Sequence, residues 1–135
     1  MTPMITLLGL GPGNPAQLTL EAMQLLESIP EIYLRTSQHS TVESFPATLQ
    51  VHSFDDLYET LPSFDAVYAQ LIDQIIQLAK RPQGVVYAVP GHPYVAEATC
   101  PEIARRARLE GIPVRVIEGL SFIEPTFTAL AIDPL

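Results

Sequence analysis

Three short stretches of the sequence combine residue types that could hold or transform a ligand. The first is Gly9-Leu10-Gly11-Pro12-Gly13-Asn14-Pro15. Glycines let a backbone approach a ligand with no Cβ in the way. A dinucleotide fingerprint would need glycine at Asn14 and an acidic residue after the second strand, where Arg35-Thr36-Ser37 stand instead. Gly-Lys-Ser/Thr is also missing, so this is no phosphate loop of the ATPase kind. Taken singly, the stretch reads equally as a tight strand-to-helix turn or as a ligand loop.

The second stretch is Pro90-Gly91-His92-Pro93-Tyr94-Val95-Ala96-Glu97. A glycine between prolines fixes the backbone stiffly, as a pre-organised pocket wall requires. His92 has the side chain best suited to proton transfer near neutral pH, although a polar loop residue is the commoner role. No other His or Cys stands at metal-ligand spacing from it, so a metal site is rejected. The third stretch, Glu118-Gly119-Leu120-Ser121-Phe122, puts Ser121 at a helix start. Capping is the plainer role there, because no Gly-x-Ser-x-Gly pattern surrounds that serine. Cys100 reads as a small buried apolar residue, Asp55-Asp56 with Glu59 as a solvated loop-to-helix junction, and Arg105, Arg106 and Arg108 as an exposed helix face.

The elements that must position these loops follow from hydrophobic periodicity. Met4–Leu8 is an almost unbroken apolar run, suited to a strand covered on both faces. A helix follows with Thr19 as N-cap and apolar Leu18, Ala22, Leu25, Leu26 and Ile29 at helical spacing, and Pro30 helps to end it. Ile32–Leu34 and Thr48–Val51 read as the next strands, with a short helix in the polar segment 37–47. After Ser63, the stripe Phe64, Val67, Tyr68, Leu71, Ile72, Ile75, Ile76 and Ala79 predicts a helix packed on a sheet. Val85–Val89 is the strongest strand. Thr99 with Glu102 carries a capping-box signature, Gly111 ends that helix, 113–117 forms a fifth strand, and 122–130 closes the chain. Alternation at these connection lengths means right-handed βαβ units: an α/β fold with a mostly parallel five-stranded sheet and helices on both faces.

Composition excludes several classes. The 135 residues carry 7 Lys+Arg against 15 Asp+Glu, a formal charge of −8, with 47% apolar and 16% charged residues. That is a globular chain of one domain rather than a disordered acidic tail. Seven scattered cations leave no electrostatic footprint for nucleic acid or an anionic membrane. A single cysteine cannot form an internal disulfide, no apolar run is long enough to span a bilayer, and no secretory signal is apparent, so a cytoplasmic location is expected. Phe127, Leu130, Ile132 and Leu135 crowd the C-terminus without a polar tail. Residues 1–135 are therefore expected to be one lobe of a longer protein, with an apolar face that drives homo-oligomer formation.

Jointly the loops say more than any one does. Gly9 to Pro15 with Leu18-Thr19, then Pro90 to Glu97, then Glu118 to Phe122, in that order, resemble the tetrapyrrole (corrin/porphyrin) methylase family. Phe54-Asp55-Asp56-Leu57-Tyr58 and Tyr87 to Pro93 look most like the branch fused to a MazG-type nucleotide pyrophosphohydrolase. The resemblance implies a first lobe that binds S-adenosylmethionine in a cleft completed by a second lobe. By motif it implies that Pro12 lies on the first loop, that Gly91, His92 and Val95 cup the cofactor, and that Ser121 and Phe122 belong to the third loop. Its usual Gly-Asp-Pro is Gly91-His92-Pro93 here, so an imidazole replaces a fixed negative charge. Methyl transfer needs mainly positioning and in-line approach, and no catalytic residue is assigned. The alternative expectation is a non-catalytic ligand-binding or regulatory module of a MazG-type fusion.

Overall fold

The computed structural model describes residues 4–135. Five strands form one sheet: β1 Ile5–Gly9, β2 Glu31–Leu34, β3 Gln50–Ser53, β4 Val85–Val89 and β5 Val114–Ile117. Every pairing is parallel and the spatial order is β3-β2-β4-β1-β5. The helices are α1 Leu20–Ser28, α2 Asp55–Thr60, α3 Phe64–Ala79, α4 Thr99–Leu109 and α5 Ile123–Leu130, with 3-10 turns at Pro15–Gln17 and Ser40–Ser44.

Alternation along each strand divides the core between the two faces. Ile5 and Leu7 of β1 join Val85, Tyr87 and Val89 of β4 beneath α3 and α4, where Leu71, Ile75, Ile76 and Ile103 are fully buried. Thr6 and Leu8 point the other way, and Leu8 meets Leu10, Ile32, Leu34, Ala88 and Ile117 beneath Ala22 and Leu26 of α1. Each such Leu or Ile contributes roughly 1.5–3 kcal/mol by leaving water. Thr19 caps α1, its hydroxyl accepting the Ala22 N–H at 3.0 Å, and Ser63 caps α3 by accepting from Ala66 at 3.1 Å.

Several expectations shift. The first strand continues through Gly9, because Gly9 still pairs with Val89 of β4. β3 begins two residues later than its apolar character suggested, since it is an edge strand held by backbone pairing to β2 with little burial. Thr99 is no cap: α4 starts with Ala98 as N-cap and no side-chain cap bond. Thr99 is fully buried, its hydroxyl bonded to Tyr87 at 2.9 Å, and Glu102 pairs with Arg105 instead. Phe64, placed in the apolar stripe of α3, is 68% exposed and stacks on Tyr68.

Candidate functional site

Because β4, β1 and β5 are neighbours, the loops leaving their carboxyl ends must meet, and they do so backbone against backbone. The Gly11 N–H donates to the Gly91 carbonyl at 3.1 Å and the Gly91 N–H returns to the Gly11 carbonyl at 2.8 Å. A Cβ on Gly119 would stand 2.3 Å from the Gly91 carbonyl oxygen, and one on Gly9 would stand 2.7 Å from the Gly119 nitrogen. Only glycine permits this approach. Gly91 also sits at φ +70°, a left-handed conformation that glycine adopts freely. Residues 9–13, 90–95 and 119–122 thus form one junction on the rim where open α/β sheets bind ligands.

The six residues expected at the site divide by what their side chains already do. Pro12 and Val95 are half-buried and Phe122 is 57% exposed. Gly91 is the backbone hub. The His92 ring accepts the Tyr94 N–H at Nδ1 over 2.9 Å, which leaves the neutral-ring proton on Nε2, facing Glu118 Oε1 at 3.3 Å. The imidazole thus performs the local turn bond a carboxylate oxygen could make. Ser121 is buried. Its hydroxyl donates to Glu124 and accepts the Ile123 N–H at 3.1 Å, and its own N–H donates to Glu124 at 3.0 Å. That reciprocal pair holds the turn that enters α5, but the cap position expected of Ser121 falls to Phe122, which makes no side-chain cap bond. The Ser121 hydroxyl bond is the first cause holding the Glu124 carboxyl below its ordinary range.

The chain pairing Gly11 with Gly91 consumes two amides that a ligand could have used. The His92 and Leu120 N–H groups, by contrast, have no protein acceptor among the described residues. Both lie at the junction, and Leu120 is 38% exposed. Half-exposed Val95 and Phe122 lie on the same two loops as these donors.

Sequence reasoning missed two supports. His39, in the β2–β3 connection, donates from Nε2 to the Gly11 carbonyl at 3.1 Å while Nδ1 takes the Thr41 hydroxyl at 2.6 Å. Burial lowers the His39 pKa and the Gly11 bond partly opposes that, which agrees with a neutral ring. The Ser40 hydroxyl donates to the Gly13 carbonyl, so this connection clamps the first glycine loop. The second support is an ion pair between Arg35, after β2, and Glu97, whose side chain is 2% exposed. Glu97 also accepts the Thr99 N–H at 2.8 Å. Ala96, at φ +51°, makes the turn that sends Glu97 inward. A Gly-rich loop is a local signal, whereas a partner 62 positions away is not. Cys100 is buried and its thiol is pushed up by desolvation, so it is no nucleophile.

The tetrapyrrole (corrin/porphyrin) methylase profile matches residues 4–134, and the chain belongs to that family. Among its relatives is the uncharacterized protein YabN of Bacillus subtilis (strain 168), 41% identical over all of this chain and 28% of that protein. A second is the methyltransferase/omphalotin A precursor of Omphalotus olearius, 26% identical over 96% of this chain and 31% of that protein. The uroporphyrin-III C-methyltransferase of Thermus thermophilus superposes with a TM-score of 0.70 at 27% identity, covering 98% of this chain and 55% of that one. A diphthine synthase shares the fold at a TM-score of 0.69 and 20% identity, over 96% and 49%. The chain therefore spans under a third of these curated relatives and about half of these solved structures. The architecture is that of the tetrapyrrole methylase fold.

No helix among the described residues is long and apolar enough to cross a membrane, and no cluster of three or more His, Cys, Asp or Glu among them could hold a metal ion.

Proposed function

We propose that this chain is the cofactor-binding lobe of an S-adenosylmethionine-dependent methyltransferase of the tetrapyrrole methylase type. One observation carries the reading: the glycine junction brings three sequence-distant loops together and leaves the His92 and Leu120 amides free. These amides would take the methionine carboxylate, Val95 and Phe122 would offer the apolar wall for adenine, and Pro12 would border the pocket. The cofactor supplies a methyl group on a sulfonium. The chain's own residues bind and orient, and none is required as acid or base. A Thermus uroporphyrin-III C-methyltransferase crystallised with S-adenosyl homocysteine shares the fold at a TM-score of 0.60.

The cleft would be completed by a second lobe, for which exposed Phe122, Leu130 and Ile132 offer apolar contacts or, in its absence, a self-association surface. Isolated residues 1–135 would bind cofactor weakly and not turn over. A cytoplasmic location accompanies this reading, in keeping with a single buried thiol. Calorimetric titration of the intact protein with S-adenosylmethionine and S-adenosylhomocysteine is the test. Binding of S-adenosylmethionine at micromolar concentration supports the methyltransferase reading, and binding of neither removes it.

A second reading rests on His92. Its ring takes the Tyr94 N–H and brings no fixed negative charge to face a cationic sulfonium. That favours a non-catalytic ligand-binding or regulatory module, in the setting of a MazG-type pyrophosphohydrolase fusion. Binding of S-adenosylhomocysteine at least as tight as S-adenosylmethionine, with no transfer in the intact protein, would select it.

A further inference from the structure

Beside the glycine junction, past the ends of β2 and β3, lies a cleft of about 350 Å³ bordered by Arg35, Asp55, Tyr58, Glu59 and Tyr68. Phe64 stands against both tyrosines, edge-on to Tyr58 and stacked on Tyr68, each at 6.2 Å between ring centroids. Its 68% exposure breaks the pattern of α3, whose other aliphatic stripe positions are buried. Tyr58 and Tyr68 line the recess and exposed Phe64 extends their aromatic surface beyond it, a surface that gains from a flat partner.

The charges of the cleft do not balance. The Arg35 guanidinium is matched by the deeply buried Glu97 carboxylate. Asp55 and Glu59 pair with no cation among the described residues. Burial alone would raise the Asp55 carboxyl, but hydrogen bonds from Ser37, Thr36 and Ser53 outweigh it and hold the pKa at about 2. Asp55 is thus ionised throughout the physiological range. Burial keeps the Tyr58 phenol protonated as a donor, because it raises its pKa.

We propose that this cleft binds a small cationic amine carried on a flat apolar body, the ammonium set against Asp55 and Glu59 and the body against Tyr58, Phe64 and Tyr68. Two uncompensated carboxylates attract a cation, and aromatic faces add cation–π attraction. The same charges repel a polycarboxylate such as uroporphyrin III. The inference extends the proposed function by naming the ligand class of the second site, and it rests on that reading only for the role of the ligand, not for its binding.

The test is a two-dimensional amide NMR titration of the intact protein with phenethylamine, with phenylpropionate as the anionic counterpart and with uroporphyrin III. Phenethylamine is expected to shift signals of residues 35–38 and 55–68. Asp55→Asn with Glu59→Gln should weaken it about tenfold and Tyr68→Leu about threefold. Equal or tighter binding of phenylpropionate, uroporphyrin III shifting the same signals, no shift with phenethylamine, or indifference to the double substitution would each overturn the proposal. S-adenosylhomocysteine is titrated in parallel. If it fails to shift residues 91–95 and 119–122 while phenethylamine still binds, the cofactor reading falls and the amine cleft stands.

Discussion

The two halves of the carboxyl rim are built from different materials. On the β4-β1-β5 side, three loops touch mainly backbone to backbone, with glycine at each point of closest approach and the His92–Glu118 pair as an added side-chain contact. On the β2-β3 side, the rim is a recess walled by long side chains, with the buried Arg35–Glu97 pair as the strut between the halves. The contrast teaches what each half can tolerate. Backbone contacts have no slack, so the first half breaks on a single methyl. Side-chain walls can be resized, so the second half can change its ligand without unfolding the lobe.

The largest expected loss comes from removing the strut. Glu97→Ala leaves the partly buried Arg35 cation without its partner and the Thr99 N–H without its acceptor, and should cost roughly 3 kcal/mol in denaturant unfolding. A loss under about 1 kcal/mol would mean that the two halves are held together elsewhere. Gly119→Ala comes next, at about 2 kcal/mol, because the added Cβ would lie 2.3 Å from the Gly91 oxygen. It should also abolish cofactor-induced shifts at residues 91–95 while leaving phenethylamine binding at the cleft in place. If it weakens both equally, the halves are one site.

How much of this was legible in the sequence follows the same division. Gly9-Leu10-Gly11-Pro12-Gly13, Pro90-Gly91-His92-Pro93 and Glu118-Gly119 are contiguous motifs, and Val85–Val89 was read with its observed bounds because its signal is local. The Asp55-Asp56-Glu59 stretch reads as a solvated loop-to-helix junction, and α2 does start at Asp55 with no buried residue, but the Asp55 bond to the Ser37 N–H at 2.9 Å spans 18 positions and leaves no local signal. Thr99 reads as a cap in the sequence because capping chemistry and core chemistry use the same hydroxyl. Only the fold, by placing Tyr87 and Glu97 beside it, decides between them.

A smaller test concerns the third loop. Ser121→Ala removes the bond to the Ile123 N–H and the partner of Glu124, at about 1 kcal/mol, read as earlier melting. No change in transfer rate beyond that stability loss is expected, since the hydroxyl faces its own helix. The smallest effect should be a pH dependence at the clamp. His39 has a lowered pKa in the folded chain, so the unfolded chain binds its proton first. The neutral ring's contribution is therefore complete above the ordinary histidine range and declines as the pH falls through it. Hydrogen exchange at residues 39–44 should quicken in that window, and His39→Gln should flatten the response. Exchange independent of pH, once corrected for intrinsic rates, would exclude the clamp.

One feature of the sheet bears on the history of every molecule made. β1 and β2 come first in the chain yet never touch, since β4 fills the space between them. A nascent chain that has emerged only as far as α3 holds the β2-β3 pair and a lone β1 with the middle strand missing, each side exposing apolar flanks and unpaired amides. Closure waits until Val85–Val89 leaves the ribosome, so a chain stalled with only α3 clear of it should remain a collapsed, chaperone-dependent intermediate, whereas one stalled with residue 117 clear should hold a sheet already complete.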